Sequence, residues 1–166
     1  MPPAIRALGA FDLQLLAKMH KICFTAPWDQ PWSAASFAEV LAMPGAAGWL
    51  ISHDEHPLGF IVTRSVLDEM EILLVAIDPA QRGRGYGGLL LDTVIAAATR
   101  AGITSLFLEQ AAPNVAARAL YSSRQFHEVG LRRGYYHGPA GDVADALVLR
   151  LGLSRCRSDQ PAMEKR

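Results

Sequence analysis

The stretch AIDPAQRGRGYGGLLLDTVI, residues 76–95, sets four glycines and two arginines between an apolar run and an amphipathic one. Glycine lets other groups approach the main chain. The first turn of a helix leaves N–H groups unpaired and partly positive, so the segment suits a phosphate. Arg82 and Arg84 add charge of the right sign. A nucleoside-triphosphate loop would end in Gly-Lys-Ser/Thr, whereas Gly87-Gly88-Leu89 follows here. The dinucleotide pattern G-x-G-x-x-G is literally present at Gly83, Gly85 and Gly88, with Glu109 about twenty residues on. That loop turns almost directly from strand into helix, however, and here Asp78 to Arg82 intervene after what read as antiparallel hairpins.

On the N-terminal side, GWLISHDEHPLGFIVTRSVLDEMEILLVAIDP predicts three strands, about residues 48–53, 58–66 and 69–77, with polar turns at HDEHP and LDE. Before them, FDLQLLAKMHKICF places Leu13, Leu16, Met19, Ile22 and Cys23 on one helical face. TAPWDQPWSAASFAEVLAM follows as a Pro/Trp loop, a candidate substrate-facing wall that includes Trp32, then a helix from Ala34 to Met43 capped by Ser33. On the C-terminal side comes a helix with Leu90, Val94, Ala97 and Ala98 inward, closed by Gly102. The buried strand TSLFLE is next, and after it a helix starting at Asn114 with Val115, Ala119 and Leu120 inward. HEVGLRRGYYHG and DVADALVLRL finish as strands. The order is β, α, α, β, β, β, α, β, α, β, β, an α+β fold with a mixed sheet in a single domain over residues 1–152, and residues 153–166 form a polar tail.

The chain has 166 residues, 51% apolar and 19% charged, with Lys+Arg and Asp+Glu equal at 16 each. That balance argues against disorder and against nucleic-acid binding by bulk charge. Cys23 and Cys156 are too few for a disulfide framework or a zinc site. His20 with Cys23 reads as a core face and HDEH at residues 53–56 as a hairpin turn, so no metal is expected. With neither an export signal nor an apolar run of about 18 residues, a cytoplasmic protein is expected, without membrane insertion.

A third phosphate-binding design remains, the R/Q-x-x-G-x-G/A loop of the GNAT acetyltransferases, matched by Arg82, Gly83, Arg84, Gly85, Tyr86 and Gly87 after AIDP. The resemblance runs from about residue 20 to 151. It is closest to the RimI type, the ribosomal-protein-alanine N-acetyltransferases, through PWS at Pro31 to Ser33, VLDEMEILLVAIDP, LFLE, NVAARALY and RRGYYHG. It implies the GNAT (acyl-CoA N-acyltransferase) fold, a mostly antiparallel seven-stranded sheet flanked by four helices. It also implies acetyl-CoA, bound by Arg82 to Gly88 with its pyrophosphate on the backbone amides of about Arg84 to Gly88, and its pantetheine arm against Leu74, Val75 and Ala76 in a gap between two strands. Asn114 would touch the cofactor. Glu109 would serve as general base and Tyr121 as general acid, and RRGYYHG would line the acceptor side.

Ordinary alternatives stand beside these roles: a strand-end Glu109, a packing Tyr121, and Tyr135 and Tyr136 simply holding the sheet. Glu69 and Glu71 fit either a clamp for a positively charged amine or solvated strand ends. The chain also departs from the RimI pattern: Ala111 replaces an arginine in Glu109-Gln110-Ala111, and Gln125-Phe126 replaces Gly-Phe. The acceptor the resemblance implies is a protein N-terminus, that of a ribosomal protein. A small-molecule amine and a non-catalytic acetyl-CoA sensor are the alternatives.

Overall fold

The computed structural model describes residues 2–153, so the polar tail from residue 154 on, with Cys156, lies outside the described residues. Seven strands make one sheet: β1 (Ala4–Ala7), β2 (Ala46–His53), β3 (His56–Val66), β4 (Glu69–Ile77), β5 (Ser105–Ala111), β6 (His127–His137) and β7 (Val143–Gly152). Their spatial order is β1-β2-β3-β4-β5-β7-β6, antiparallel throughout except for β4 with β5. Parallel neighbours need a crossover, and α3 (Tyr86–Arg100) supplies it. The other helices are α1 (Leu13–Cys23), α2 (Ala34–Leu41) and α4 (Val115–Ser122).

The central strands read as continuous apolar runs because both faces are covered. Successive residues split between the two layers. Leu50, Phe60 and Val62 pack under α1 and α2 with Leu16, Met19 and Phe37, while Ile51 and Ile61 pack under α3 with Leu90, Leu91 and Val94. The HDEH segment is a tight hairpin turn whose central residues, Asp54 and Glu55, have φ of 45° and 64°.

The caps behave as their residue types predict. The Ser33 hydroxyl accepts from the Ser36 N–H at 3.1 Å, the Asn114 side chain from the Ala117 N–H at 3.1 Å, and Gly102 closes α3 at φ 74°. Two helical faces differ from expectation. Ile22 is 46% exposed and His20 takes the inward place. On α4, Val115 is 71% exposed and Ala119 is also exposed, while Ala117, Leu120 and Tyr121 turn inward. This helix has barely two turns, three alanines blur its apolar face, and the contact of Leu120 with α3 sets its rotation.

His20 is stacked on Phe24 at 4.3 Å and on Trp32 at 5.9 Å, and its Nδ1 accepts from the Trp32 N–H at 3.4 Å. Burial lowers its pKa to about 4. The unfolded chain therefore takes up a proton near pH 6.5 that the folded chain refuses until about pH 4. Stability is complete above the unfolded value and falls as pH drops between the two, by up to about 3 kcal/mol. Thermal midpoints at pH 7.5 and pH 4.5 should differ less for His20→Leu than for the unmodified protein.

Candidate active site

The glycine segment leaves β4 at Ile77 and makes one tight helical turn at Pro79–Gln81, where the Asp78 carboxylate accepts from the Ala80 N–H at 2.9 Å. It enters α3 through Gly85 at φ 84°, with no side-chain cap. Gly83 also has a positive φ, 75°, and a Cβ added at either glycine would meet nothing within 4 Å. Backbone conformation therefore demands these two glycines, and the space above them is open. The N–H groups of Tyr86, Gly87 and Gly88 lie in the first turn and have no intrahelical acceptor, which makes a cradle for an anion, with Arg84 exposed beside it.

Gly87 and Gly88 serve a different end. A Cβ on Gly87 would lie 3.1 Å from Leu120 and one on Gly88 2.1 Å from the Arg124 guanidinium, which pairs with Asp92 at 3.1 Å. They let α4 lie close against α3. Arg82, expected to face the phosphate, donates instead to the carbonyls of Ile77 at 3.2 Å and Cys23 at 3.0 Å. It binds the loop to the ends of β4 and α1. The Cys23 thiol donates to the Ile77 carbonyl at 3.4 Å.

β4 and β5 pair only from Glu69 with Ser105 to Ile72 with Leu108, and then they part. The cause is a bulge in β4: Thr63 pairs with Ile72 and Val62 with Leu74, leaving Leu73 unmatched and bending the strand. β5 does not follow, because β7 holds it as far as Ala111. Leu74, Val75 and Ala76 thus form one lip of a cleft, with alternate main-chain groups lacking a strand partner on that side, and Glu109 stands on the other.

The Glu109 side chain is 15% exposed, and its Oε1 meets Arg132 Nε at 2.9 Å. The neighbouring Glu109 carboxylate raises the Tyr135 pKa, and the Tyr135 ring lies 5.3 Å from the Arg132 guanidinium carbon. Arg64, Glu69, Glu71, Phe107, Glu109 and Arg132 line a groove of about 300 Å³. Burial and the nearby Glu109 charge raise the Glu71 pKa. Burial and the Glu109 charge also push the Tyr136 phenol up, and burial with a smaller contribution from Tyr136 does the same for Tyr121. Tyr121 is 7% exposed and packs edge-on to Phe126 at 5.8 Å. Both phenols keep their protons through the neutral range.

The Pro/Trp loop lies against the turn between β6 and β7. Its Gln30 amide donates to the His137 carbonyl at 2.6 Å, and its Asp29 carboxylate accepts from the Ala26 N–H at 2.9 Å. A Cβ on Gly138 would lie 1.7 Å from the Pro27 carbonyl oxygen, so the loop and the β6–β7 turn are in direct contact. Gly138→Ala must push them apart. The expected result is a KM for the acceptor raised roughly 5–10-fold, with coenzyme A affinity within about twofold of normal. Trp32 does not stand with this wall. It packs on His20 and on Phe37 at 5.3 Å, and lines a shallow depression with Gln14, Lys18 and Lys21 along α1.

Residues 13–126 match the model of the Acetyltransferase (GNAT) family. The chain belongs to that family. Over 150 residues it is 34% identical to the [ribosomal protein bS18]-alanine N-acetyltransferase of Escherichia coli (strain K12), covering 90% of this chain and 97% of that protein. It is 37% identical over 150 residues to the N-alpha-acetyltransferase RimI of Mycobacterium tuberculosis, covering 86% and 89%. The crystal structure of the ribosomal-protein-S18-alanine N-acetyltransferase from Escherichia coli superposes with a TM-score of 0.84 at 29% identity, over 96% of this chain and 99% of that one.

The GNAT fold expected from the sequence is therefore the fold observed, and the chain is an acetyl-CoA-dependent N-acetyltransferase. Among the described residues of this acetyltransferase, no helix is long and apolar enough to cross a membrane, and no group of three or more His, Cys, Asp and Glu is placed to hold a metal ion. Glu69, Glu71 and Glu109 share one groove, the Glu109 charge raises the pKa of both Tyr135 and Tyr136, and Tyr136 in turn raises that of Tyr121. Asn114 spends its side-chain oxygen on capping α4, which leaves its amide N–H groups for any other contact. Arg132 was not singled out by sequence reasoning. It lies within RRGYYHG, but only its cross-strand position reveals its partner.

Proposed function

We propose that this acetyltransferase acetylates the N-terminal α-amino group of a protein, an alanine-headed ribosomal protein as its relatives are named for, in the cytoplasm. The observation that carries this reading is Glu109, a carboxylate at the lip of the β4–β5 cleft that opens onto a groove lined by Glu69, Glu71 and Arg132. An α-amino group, with a pKa near 7.7–8.0, is roughly a tenth neutral at pH 7, whereas a lysine near 10.4 leaves about one part in a few thousand. A single carboxylate suffices for the first.

The open, uncapped cradle at the start of α3 fits the pyrophosphate of acetyl-CoA, and the unpaired main-chain groups of Leu74 to Ala76 fit its pantetheine arm. When bound, acetyl-CoA supplies an acetyl group activated as a thioester. Glu69, Glu71 and Glu109 draw the positively charged acceptor into the groove, where it gives its first proton to solvent and reacts as the neutral amine. Glu109, directly or through water, takes the proton that nitrogen must lose as its bond to the acetyl carbon forms. Main-chain N–H groups on the β4 lip stabilise charge on the carbonyl oxygen. Tyr121 gives its proton to sulfur as the carbon–sulfur bond breaks and regains one from solvent. Arg132 holds the Glu109 carboxylate in place.

The test is to incubate the protein with acetyl-CoA and peptides beginning Ala, Ser, Met or Gly, some with internal lysines, beside common small amines. Mass spectrometry then locates the acetyl group. Acetyl on the N-terminal nitrogen of Ala peptides is the expected result. Modification of small amines alone would move the acceptor to that class, and tight acetyl-CoA binding without turnover would make the protein a sensor.

A further inference from the structure

Gln110 follows Glu109 on β5 and so points to the opposite face of the strand, the face on which Leu106 and Leu108 enter the core under α3 and α4. It is 5% exposed, and its side-chain Oε1 and Nε2 are both buried without a hydrogen-bond partner among the described residues. Buried side-chain amides are rarely left so, because the lost contacts with water go unreplaced. The residue lies two positions beyond the last β4–β5 pair, Ile72 with Leu108, while β7 still holds β5 on the other side through Leu147 opposite Gln110. The residue therefore lies on the stretch of β5 beyond the last β4 pair, with its side chain on the helix side and away from the groove that Glu109 faces.

We propose that Gln110 is a binding residue for the pantetheine arm of coenzyme A. A primary amide offers an acceptor and donors together, which matches the secondary amides of that arm, each with one N–H and one C=O. Phosphate would call for a cation or a helix end, and the acceptor enters from the other face. The inference rests on the reading that acetyl-CoA occupies the β4–β5 cleft, and it adds a side-chain contact to the main-chain contacts of β4.

Gln110→Leu keeps the volume and removes both polar atoms. Titration calorimetry would compare coenzyme A with its nucleotide half, which lacks the pantetheine arm. The expected result is roughly tenfold weaker binding of coenzyme A, no change for the nucleotide half, and a free protein at least as heat-stable as the original. Unchanged coenzyme A affinity would overturn the proposal and make the amide a water-bound defect of the core. If the unmodified protein binds the nucleotide half but gains nothing from the arm, the cleft reading fails as well. Heteronuclear NMR of the unmodified protein gives a second readout: the Gln110 side-chain amide resonances should move with coenzyme A and stay put with the nucleotide half. Resonances unmoved by coenzyme A would likewise overturn the proposal.

Discussion

Glu109→Gln should lower kcat/KM for an Ala-headed peptide by roughly 10²–10⁴-fold, the range that a general base commands. The substitution keeps the shape and still lets an oxygen meet Arg132, so it removes a charge and a proton acceptor and little else. Arg132, 58% exposed, is left to solvent, which costs the fold little. Thermal midpoint and coenzyme A affinity should stay near normal, since Glu109 faces the acceptor groove and not the glycine cradle. Loss of the nearby charge should also let Glu71 ionise more readily, because Glu109 is one cause of its raised pKa. Activity within threefold of normal across the pH range would remove Glu109 from the chemistry.

How much of this was legible beforehand follows from the range of the interactions involved. The central strands and the cradle are local matters: a run such as LGFIV can only be a strand covered on both faces, and Gly83 and Gly85 adopt φ values that side chains resist. The splay of β4 from β5 is less local, since it needs a bulge in β4 and a β7 that holds β5 straight. The acceptor side was the least legible. Between Arg132 and Tyr136, β6 has three residues where β7 has one, with Gly134 at φ 58° and its N–H bonded to the Asp145 carboxylate at 2.7 Å. Strict alternation along β6 fails there, so no periodicity could place both Arg132 and Tyr135 on Glu109. The contact of Gln30 with His137 joins residues 107 apart in sequence. Trp32 shows the same limit: its loop meets the β6–β7 turn, yet its own ring packs on His20 and Phe37.

Tyr121→Phe is expected to cut kcat roughly 10²-fold, and the nature of the leaving group should decide how much. The substitution removes one hydroxyl and keeps the edge contact with Phe126, so the core stays filled and thermal stability should hardly move. Burial holds the Tyr121 proton on more firmly than in an ordinary phenol, which makes it a dependable donor through neutral pH but a weak acid. Transfer becomes favourable only as sulfur develops charge in a cleft poor in water, where a thiolate is a stronger base than in solution. A donor whose thiol is already acidic, such as an aryl thioester, needs no such help. The Tyr121→Phe penalty should therefore shrink several-fold with the aryl donor, while the Glu109→Gln penalty, which concerns the acceptor's proton, should persist. A penalty equal for both donors would mean that Tyr121 acts by packing alone, and that sulfur takes its proton from water or from the acceptor itself.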